Sequence, residues 1–420
     1  MQALPPLPDW CSLEHEVAKI LLQQEIHGWY FDEKAARELE STLRRELEET
    51  TQLLRDRHPF VKGHEFTPRR DNKTSGYIKN ATFTRLKDFN PTSRDHIAWI
   101  LKTHYGWVPS SMTATGKPVI NEITLKEFGT DIALNFARLL DLTKQLGMIS
   151  EGVNAWQKLC TTSSRIHHHC SVGCATHRAS HRNPNLAQVP SDERFRRLFT
   201  ASPNLRMVGA DLSGIELRML AHYLGRYDDG KYADVLVNGD IHQQNADKIG
   251  ITRRQVKTVT YAFLYGAGDQ KIGLSVDKTL SEKDAKEKGK EVRKAYVDAI
   301  DGLSELLKAI KKAGQRGYIR AIDGRKILVD STHKSLNYLL QGSAGIIAKR
   351  WLYIANQHLP KSAHQLAFIH DELQYECAAE DIVDLQFLLC LSATQAGEYY
   401  NLRCPIEAEA KNGHTWADVH

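Results

Sequence analysis

The stretch QLAFIHDELQYEC (365–377) sets two apolar arms, QLAFI and LQYEC, on either side of a polar centre, His370-Asp371-Glu372. Short runs rich in aliphatic and aromatic residues read as strands, and the polar centre reads as the turn between them. A carboxylate flanked by such strands sits near a core edge, where its charge must be paired or bound to a cation. Upstream, MVGAD (207–211) is another short apolar run ending in an acid, Asp211, followed by Leu212-Ser213-Gly214. Two aspartates from different strands can hold hard divalent cations such as Mg²⁺, which takes one or two carboxylates together with phosphate oxygens and water. Composition alone favours the plainer reading of two unrelated turn aspartates.

A helical stretch changes that weighing. In RRQVKTVTYAFLYG (253–266), Arg253, Lys257, Tyr261 and Tyr265 recur every four residues, behind Thr252 as an N-cap. On an α-helix they occupy one slowly drifting face, with two cations at one end and two aromatic rings at the other. A nucleoside triphosphate fits such a face, phosphates against Arg and Lys and base or sugar against a ring. A solvated face with two half-buried tyrosines satisfies the same pattern.

The rest of the chain alternates strands and helices without a regular βαβ rhythm, which predicts an α+β fold. Asp32 caps a long helix to about residue 57, with Leu39, Leu43, Leu47 and Leu54 as its one apolar stripe. Residues 58–90 carry Pro, Gly, Asn and Thr, with seven basic residues from Lys62 to Lys87, and read as a basic loop. Helices are predicted over 133–149, 217–224, 281–315, 335–357 and 381–399. Strands are predicted over 165–173, over 317–329 as a hairpin about Asp323-Gly324, and near the C-terminus.

At 420 residues the length suits two to four compact units. With 56 Lys and Arg against 51 Asp and Glu, the net charge is only +5, so a phosphate-binding surface must be a local patch. Seven cysteines and a proline-broken start, MQALPPLPDW, predict reduced, mostly buried thiols in a cytoplasmic protein with no leader. No apolar run approaches membrane-spanning length.

Taken together, the motifs resemble the polymerase domain of family A DNA polymerases, the Pol I class, and most closely the replicative enzymes of T-seven-type short-tailed phages. DLSGIELRMLAHYL (211–224) resembles motif A, RRQVKTVTYAFLYGAG (253–268) motif B and HDELQYEC (370–377) motif C. RASHRNPNLAQVP (178–190), GDIH (239–242), DGRK (323–326) and LNYLLQGSAG (336–345) join them in family order. FNPTSRDHI (89–97), GWVP (106–109) and RCPIEAEAKNG with a final His420 extend the likeness from Trp10 to the end of the chain.

The resemblance implies a right-hand fold: an N-terminal segment over 1–30 on the palm, a helical thumb over 31–160 with a short basic tip at about 58–88, palm over 161–225, helical fingers over 226–330, and palm again over 331–420. It implies that Asp211, Asp371 and the Leu212 carbonyl bind two Mg²⁺ ions, which Mn²⁺ can replace, with Glu372 in support. Arg253 and Lys257 would hold the incoming deoxynucleoside triphosphate, Lys257 also donating a proton to the leaving pyrophosphate, with His242 near the phosphates. Tyr265 would stack at the templating position, and Glu216 would exclude a ribose 2′-hydroxyl. Tyr261 goes with ready acceptance of dideoxynucleotides. Arg178, Asn337, Gln341 and His370 would read the minor groove of primer-template DNA, and His333 would also contact DNA. In the thumb, the basic tip would track duplex phosphates.

Four features depart from the family pattern or invite another reading. The usual exonuclease domain is absent, so this chain is expected not to proofread by itself, and a separate exonuclease or replisome subunit becomes a candidate partner. The thumb tip is much shorter than the insertion that binds thioredoxin, so thioredoxin is not expected as a partner, and a monomer without membrane association is. His177 stands where the family usually has Gly. His167, His168, His169, Cys170, Cys174, His177 and His181 are ligand types zinc accepts, but their spacing fits no standard site and the family has a plain hairpin there. Among rivals, Glu216 argues against a single-subunit RNA polymerase, and the His-Asp-Glu centre against a reverse transcriptase. The presence of Asp211, Asp371, Arg253 and Lys257 argues against a non-catalytic clamp.

Overall fold

The computed structural model describes residues 7–420, so the first six residues of the expected N-terminal segment lie outside the described residues. The chain forms two compact units, one from the chain up to Phe31 together with Thr161–His420, the other from Asp32–Cys160.

In the larger unit, four antiparallel strands lie in the order His364–Ile369, Glu372–Cys377, Arg206–Leu212, Ala408–Gly413. All six residues of Glu372–Cys377 are buried, the polar Glu372, Gln374 and Glu376 as well as Leu373, Tyr375 and Cys377, so both faces of this strand are covered although its sequence alternates. Helices Ser335–Asn356 and Ile382–Tyr399 pack in the same core, joined where Trp351 Nε1 donates to the Leu389 carbonyl (2.8 Å). The N-terminal helix Asp9–His27 buries Leu13, Val17, Ile20 and Leu21, and its Glu14 accepts from the buried Lys349 (2.8 Å). A three-stranded sheet sets Trp29–Phe31 between Arg165–Ile166 and Phe199–Thr200.

Among the helices, Arg253–Leu264 starts at a capping box in which Thr252 and Gln255 satisfy each other's backbone N–H groups. Helices Asp269–Val276 and Glu282–Ala299 interlock through glycines: a Cβ at Gly289 would lie 1.7 Å from the Asp269 carbonyl oxygen. The predicted single strand over 165–173 is two strands, because Arg165–Ile166 and His169–Ser171 join different sheets. His169–Ser171 forms a hairpin with Ser180–Arg182. The histidines leading into it take separate partners: His167 the Glu25 carbonyl, His168 Gln24, and His169 the Glu25 carboxylate. A short helix Trp416–Val419, not foreseen in the sequence, follows the last strand.

Glu376 fixes the inner strand to its surroundings. Burial opposes its ionisation, but hydrogen bonds from His27, Ser202 and Arg165 outweigh burial and hold it at about 2. The distances are 2.7 Å from His27 Nε2, 2.7 Å from the Ser202 N–H and 3.1 Å from Arg165 Nη2. A carboxylate depressed in this way stabilises the fold above its unfolded pKa near 4.5 and loses that contribution as pH falls toward 2. Glu376→Gln is therefore expected to cost about 3 kcal/mol of unfolding free energy at pH 7. The difference from wild type should narrow in chemical denaturation as pH falls below about 4.5.

The smaller unit is built on helix Glu33–Arg57, capped by Asp32 accepting from the Ala35 N–H (2.9 Å). Its buried face, with Leu43 and Leu54, and helices Arg94–Tyr105 and Asp131–Leu146 supply the unit's core. The region read as a basic loop contains a hairpin, Phe60–Phe66 with Phe83–Asp88. Phe66, Tyr77 and Phe83 close it with ring centroids 4.9–6.0 Å apart. The strand pattern was obscured by a register shift between Lys62 and Glu65 and by Gly63, whose Cβ would lie 2.5 Å from the Arg85 carbonyl oxygen. Among the described residues no helix is long and apolar enough to cross a membrane. None of the seven cysteines, all among the described residues, is in a disulfide; Cys170, Cys377 and Cys404 are buried and the other four half-buried, a smaller buried share than expected.

Candidate active site

Asp211 is the next-to-last residue of the central strand, directly opposite Glu372. Asp371 lies in the turn before Glu372, beside His370, whose φ of 59° is left-handed. The Leu212 N–H donates to the Asp371 carbonyl (3.0 Å), tying the two strand ends together. Glu372 is turned into the structure. Its carboxylate accepts from Trp416 Nε1 (2.6 Å) and Gln374 Nε2 (2.6 Å) and lies 3.2 Å from His420 Nδ1. Burial favours its protonation, but these partners hold it below the usual range, so Glu372 anchors the C-terminus.

The other two carboxylates are not neutralised. Neither forms an ion pair among the described residues. Partial burial, then the charges of Asp371 and Glu372, push Asp211 up to about 7. Burial, then Glu216, pushes Asp371 up to about 6. The Asp211 side chain is open to solvent, which screens its part of this repulsion. Two crowded, unpaired carboxylates are a donor set that a hard divalent cation relieves. Among the described residues no three His, Cys, Asp or Glu side chains converge into a closed metal cage. The pair instead suits an ion completed by phosphate oxygens and water, as Mg²⁺ is.

Helix Arg253–Leu264 buries Val256, Val259, Thr260, Phe263 and Leu264, and so turns Arg253 and Lys257 to solvent. Tyr261 and Tyr265 stack with centroids 6.5 Å apart, and the His242 ring lies 6.3 Å from Tyr261. Burial and then the charges of Glu216 and Asp371 raise the Tyr261 phenol, which puts that ring in the electrostatic reach of the carboxylates. Tyr265 donates to Glu216 Oε1 (3.1 Å), and Glu216 is also ion-paired with Arg178. Arg253 Nε donates to Asp240 Oδ2 (2.7 Å), an acceptor in the GDIH motif that the sequence does not mark as its partner.

The remaining expected site residues divide. Asn337 lies on helix Ser335–Asn356, where its Nδ2 donates to the Leu264 carbonyl (3.1 Å) and so joins that helix to the end of the cationic one. Gln341 lies on the same helix, four residues further on. His370 is in the carboxylate turn. His333 is exposed and shares a hydrogen bond with Ser331 Oγ (2.7 Å) rather than with any other site residue. Trp416, Gln374 and His420, which hold Glu372, were not singled out for that role.

Residues 67–418 match DNA polymerase family A. The chain belongs to this family. The DNA-directed DNA polymerases of Enterobacteria phage T3 and Escherichia phage T7 are each 32% identical to it, over 97% of this chain and 70% of theirs. A solved structure, the POL domain of Pol1 from M. smegmatis in complex with DNA primer-template and dNTP, has a TM-score of 0.78 at 20% identity. That match covers 97% of this chain and 70% of that one. The α+β polymerase fold expected from the motifs is the fold of this family A polymerase chain.

The structure also accounts for His177 as a departure in this polymerase. Its φ is 57°, in the left-handed region where an L side chain is strained and glycine is not. Gly345 meets it closely, since a Cβ there would lie 3.0 Å from the His177 carbonyl oxygen. The His177–Arg178 backbone is thus seated on the helix that carries Asn337 and Gln341. His177→Gly is expected to be about 1 kcal/mol more stable than His177→Ala in thermal unfolding, the reverse of the order inside a helix.

Proposed function

We propose that this chain is a template-directed, DNA-dependent DNA polymerase of the phage replication type, adding deoxynucleotides to a primer 3′-hydroxyl. The observation that carries this reading is the pairing of Asp211 and Asp371, neither of them ion-paired among the described residues, with Asp371 within the electrostatic reach of Tyr261 near the end of the helix that exposes Arg253 and Lys257. Asp211, Asp371 and the Leu212 carbonyl would hold two Mg²⁺ ions, replaceable by Mn²⁺, which when bound supply Lewis-acid activation of the primer hydroxyl and charge neutralisation on the triphosphate.

The chain's own residues do the rest. Arg253 exchanges Asp240 for the triphosphate, and Lys257 holds the same phosphates and passes a proton to the departing pyrophosphate. His242 flanks the phosphates. Tyr261 lines the sugar pocket, and Glu216 closes it against a 2′-hydroxyl. Tyr265, released from Glu216, stacks at the templating position, while Arg178, Asn337, Gln341 and His370 test the minor-groove edge of the primer-terminal pair. His333 adds a DNA contact. The compact unit Asp32–Cys160 supports a thumb over 31–160, its hairpin the basic tip, with fingers over 226–330 and palm over 161–225 and 331–420. Primer-template DNA and deoxynucleoside triphosphates are the partners of this reading, with a monomer and a separate exonuclease or replisome subunit as its assembly.

Primer extension on a defined template tests it. Template-encoded products are expected with deoxynucleotides and not with ribonucleotides. Products that ignore the template, or equal use of ribonucleotides, would overturn the reading.

A further inference from the structure

A column of three imidazoles runs beside the strand that ends at the carboxylate turn. His168 is wholly buried and stacks on His181 with centroids 5.9 Å apart at 29°. His181, only 7% exposed, meets the His370 ring in a T-shaped contact at 6.4 Å and 82°. The base of the column is tied by hydrogen bonds. His168 Nε2 pairs with Gln24 Nε2 (3.0 Å), and Gln365 Nε2 donates to Gln24 Oε1 (2.8 Å). Gln365 and His370 lie near the two ends of strand His364–Ile369, so the hydrogen-bonded base and the rings together run along that strand.

Two features single out His181. Both of its ring nitrogens are buried without a hydrogen-bond partner among the described residues. Such orphaned groups are few in native proteins and call for an explanation. The residue its ring edge meets, His370, is held at φ 59°, a conformation that a non-glycine residue keeps only when its surroundings impose it. Burial, then the neighbouring imidazoles, keeps His168 at about 3 and His181 at about 4, so the column is neutral and apolar in character at physiological pH.

We propose that His181 is a positioning residue: its ring holds the His370 side chain and, through it, the left-handed turn that presents Asp371. It touches no substrate. This rests on the polymerase reading above, in which His370 tests the primer terminus and Asp371 belongs to the catalytic pair. A misplaced turn then disturbs both together, whereas the pocket for the incoming nucleotide, built on the Arg253–Leu264 helix, is left as it was.

His181→Ala, His181→Phe and His181→Leu test this. His181→Ala is expected to slow single-turnover insertion ~10- to 100-fold, in line with an ångström-scale misplacement, with little change in KM for the nucleotide. It should also reduce the ratio of matched to mispaired primer extension. His181→Phe, which keeps the ring contact, should restore most of both losses, and His181→Leu should not. A merely structural role lowers the unfolding temperature without changing mispair discrimination per folded molecule. Unchanged insertion and discrimination in His181→Leu would overturn the proposal, and so would their equal loss in Phe and Leu variants.

A second readout is independent of activity. If His181 braces His370, the unfolding-temperature losses of His181→Ala and His370→Ala should sum to more than the loss in the double variant. Additive losses would refute the brace. A wild-type protein that extends no primer would refute the polymerase reading instead, and the brace would still be decided by the unfolding cycle.

Discussion

Asp371→Asn should extinguish primer extension while making the protein, without divalent ions, more resistant to heat at pH 8. The two effects share one cause. Asp371 is pushed up to about 6 by burial and by Glu216, and it stands beside a second carboxylate, Asp211; among the described residues neither forms an ion pair. At pH 8 the native state therefore holds a charge that the unfolded chain carries more easily. Asparagine keeps the shape and removes that charge. After allowance for solvent screening at the half-buried Asp371, the gain is about 1–2 kcal/mol, a few degrees of unfolding temperature. Adding Mg²⁺ should reverse the order, stabilising wild type through binding and leaving the variant behind. The activity loss should be roughly 10³-fold or more, at least ~4 kcal/mol of transition-state stabilisation. Extension within tenfold of wild type, or a variant no more stable than wild type in chelator, would contradict this account of the carboxylates.

Why these aspartates were legible in the sequence is a matter of local pattern. The arms of 365–377 and the run 207–211 are short, apolar and closed by acids, and they form adjacent strands of one sheet. The cationic helix was legible because four-residue spacing survives as one face, and because Thr252 caps it as its residue type implies. What stayed hidden depends on contacts between segments distant in the chain. Glu372 follows Asp371 directly, yet its partners Trp416 and His420 lie some forty-odd residues further on and no spacing rule links them. The link from Arg253 to Asp240 is an exposed ion pair between two helices, which periodicity cannot foresee. The hairpin at 60–88 was masked because its strands carry Lys, His and Arg, and because its apolar closure comes from Tyr77 in the connection between them. The divided strand at 165–173 shows the same limit, since the alternation was real but the choice of sheet was not local.

Tyr261→Phe should turn an enzyme that dideoxynucleotides terminate readily into one that resists them. The Tyr261 ring is half-buried, stacked on Tyr265 at 6.5 Å and tilted against His242 at 6.3 Å. Its phenol is raised first by burial and then by the charges of Glu216 and Asp371, so its hydroxyl lies in the field of those two carboxylates. In the proposed sugar pocket, a nucleotide lacking its 3′-hydroxyl would leave one polar position unfilled, and the phenol hydroxyl would take that position. Phenylalanine keeps the ring and removes the hydroxyl. The normal substrate, which brings its own 3′-hydroxyl, should then be used nearly as well as before. The dideoxy analogue should lose the worth of an unmet buried hydrogen bond, about 2–3 kcal/mol, or on the order of 10²-fold in relative kcat/KM. Competition between a dideoxynucleotide and its deoxy counterpart on one template position measures that ratio directly. Equal termination of wild type and variant would remove Tyr261 from the sugar pocket. A parallel loss with deoxynucleotides would instead make its hydroxyl a general support of the site, coupled to Glu216 rather than to the sugar.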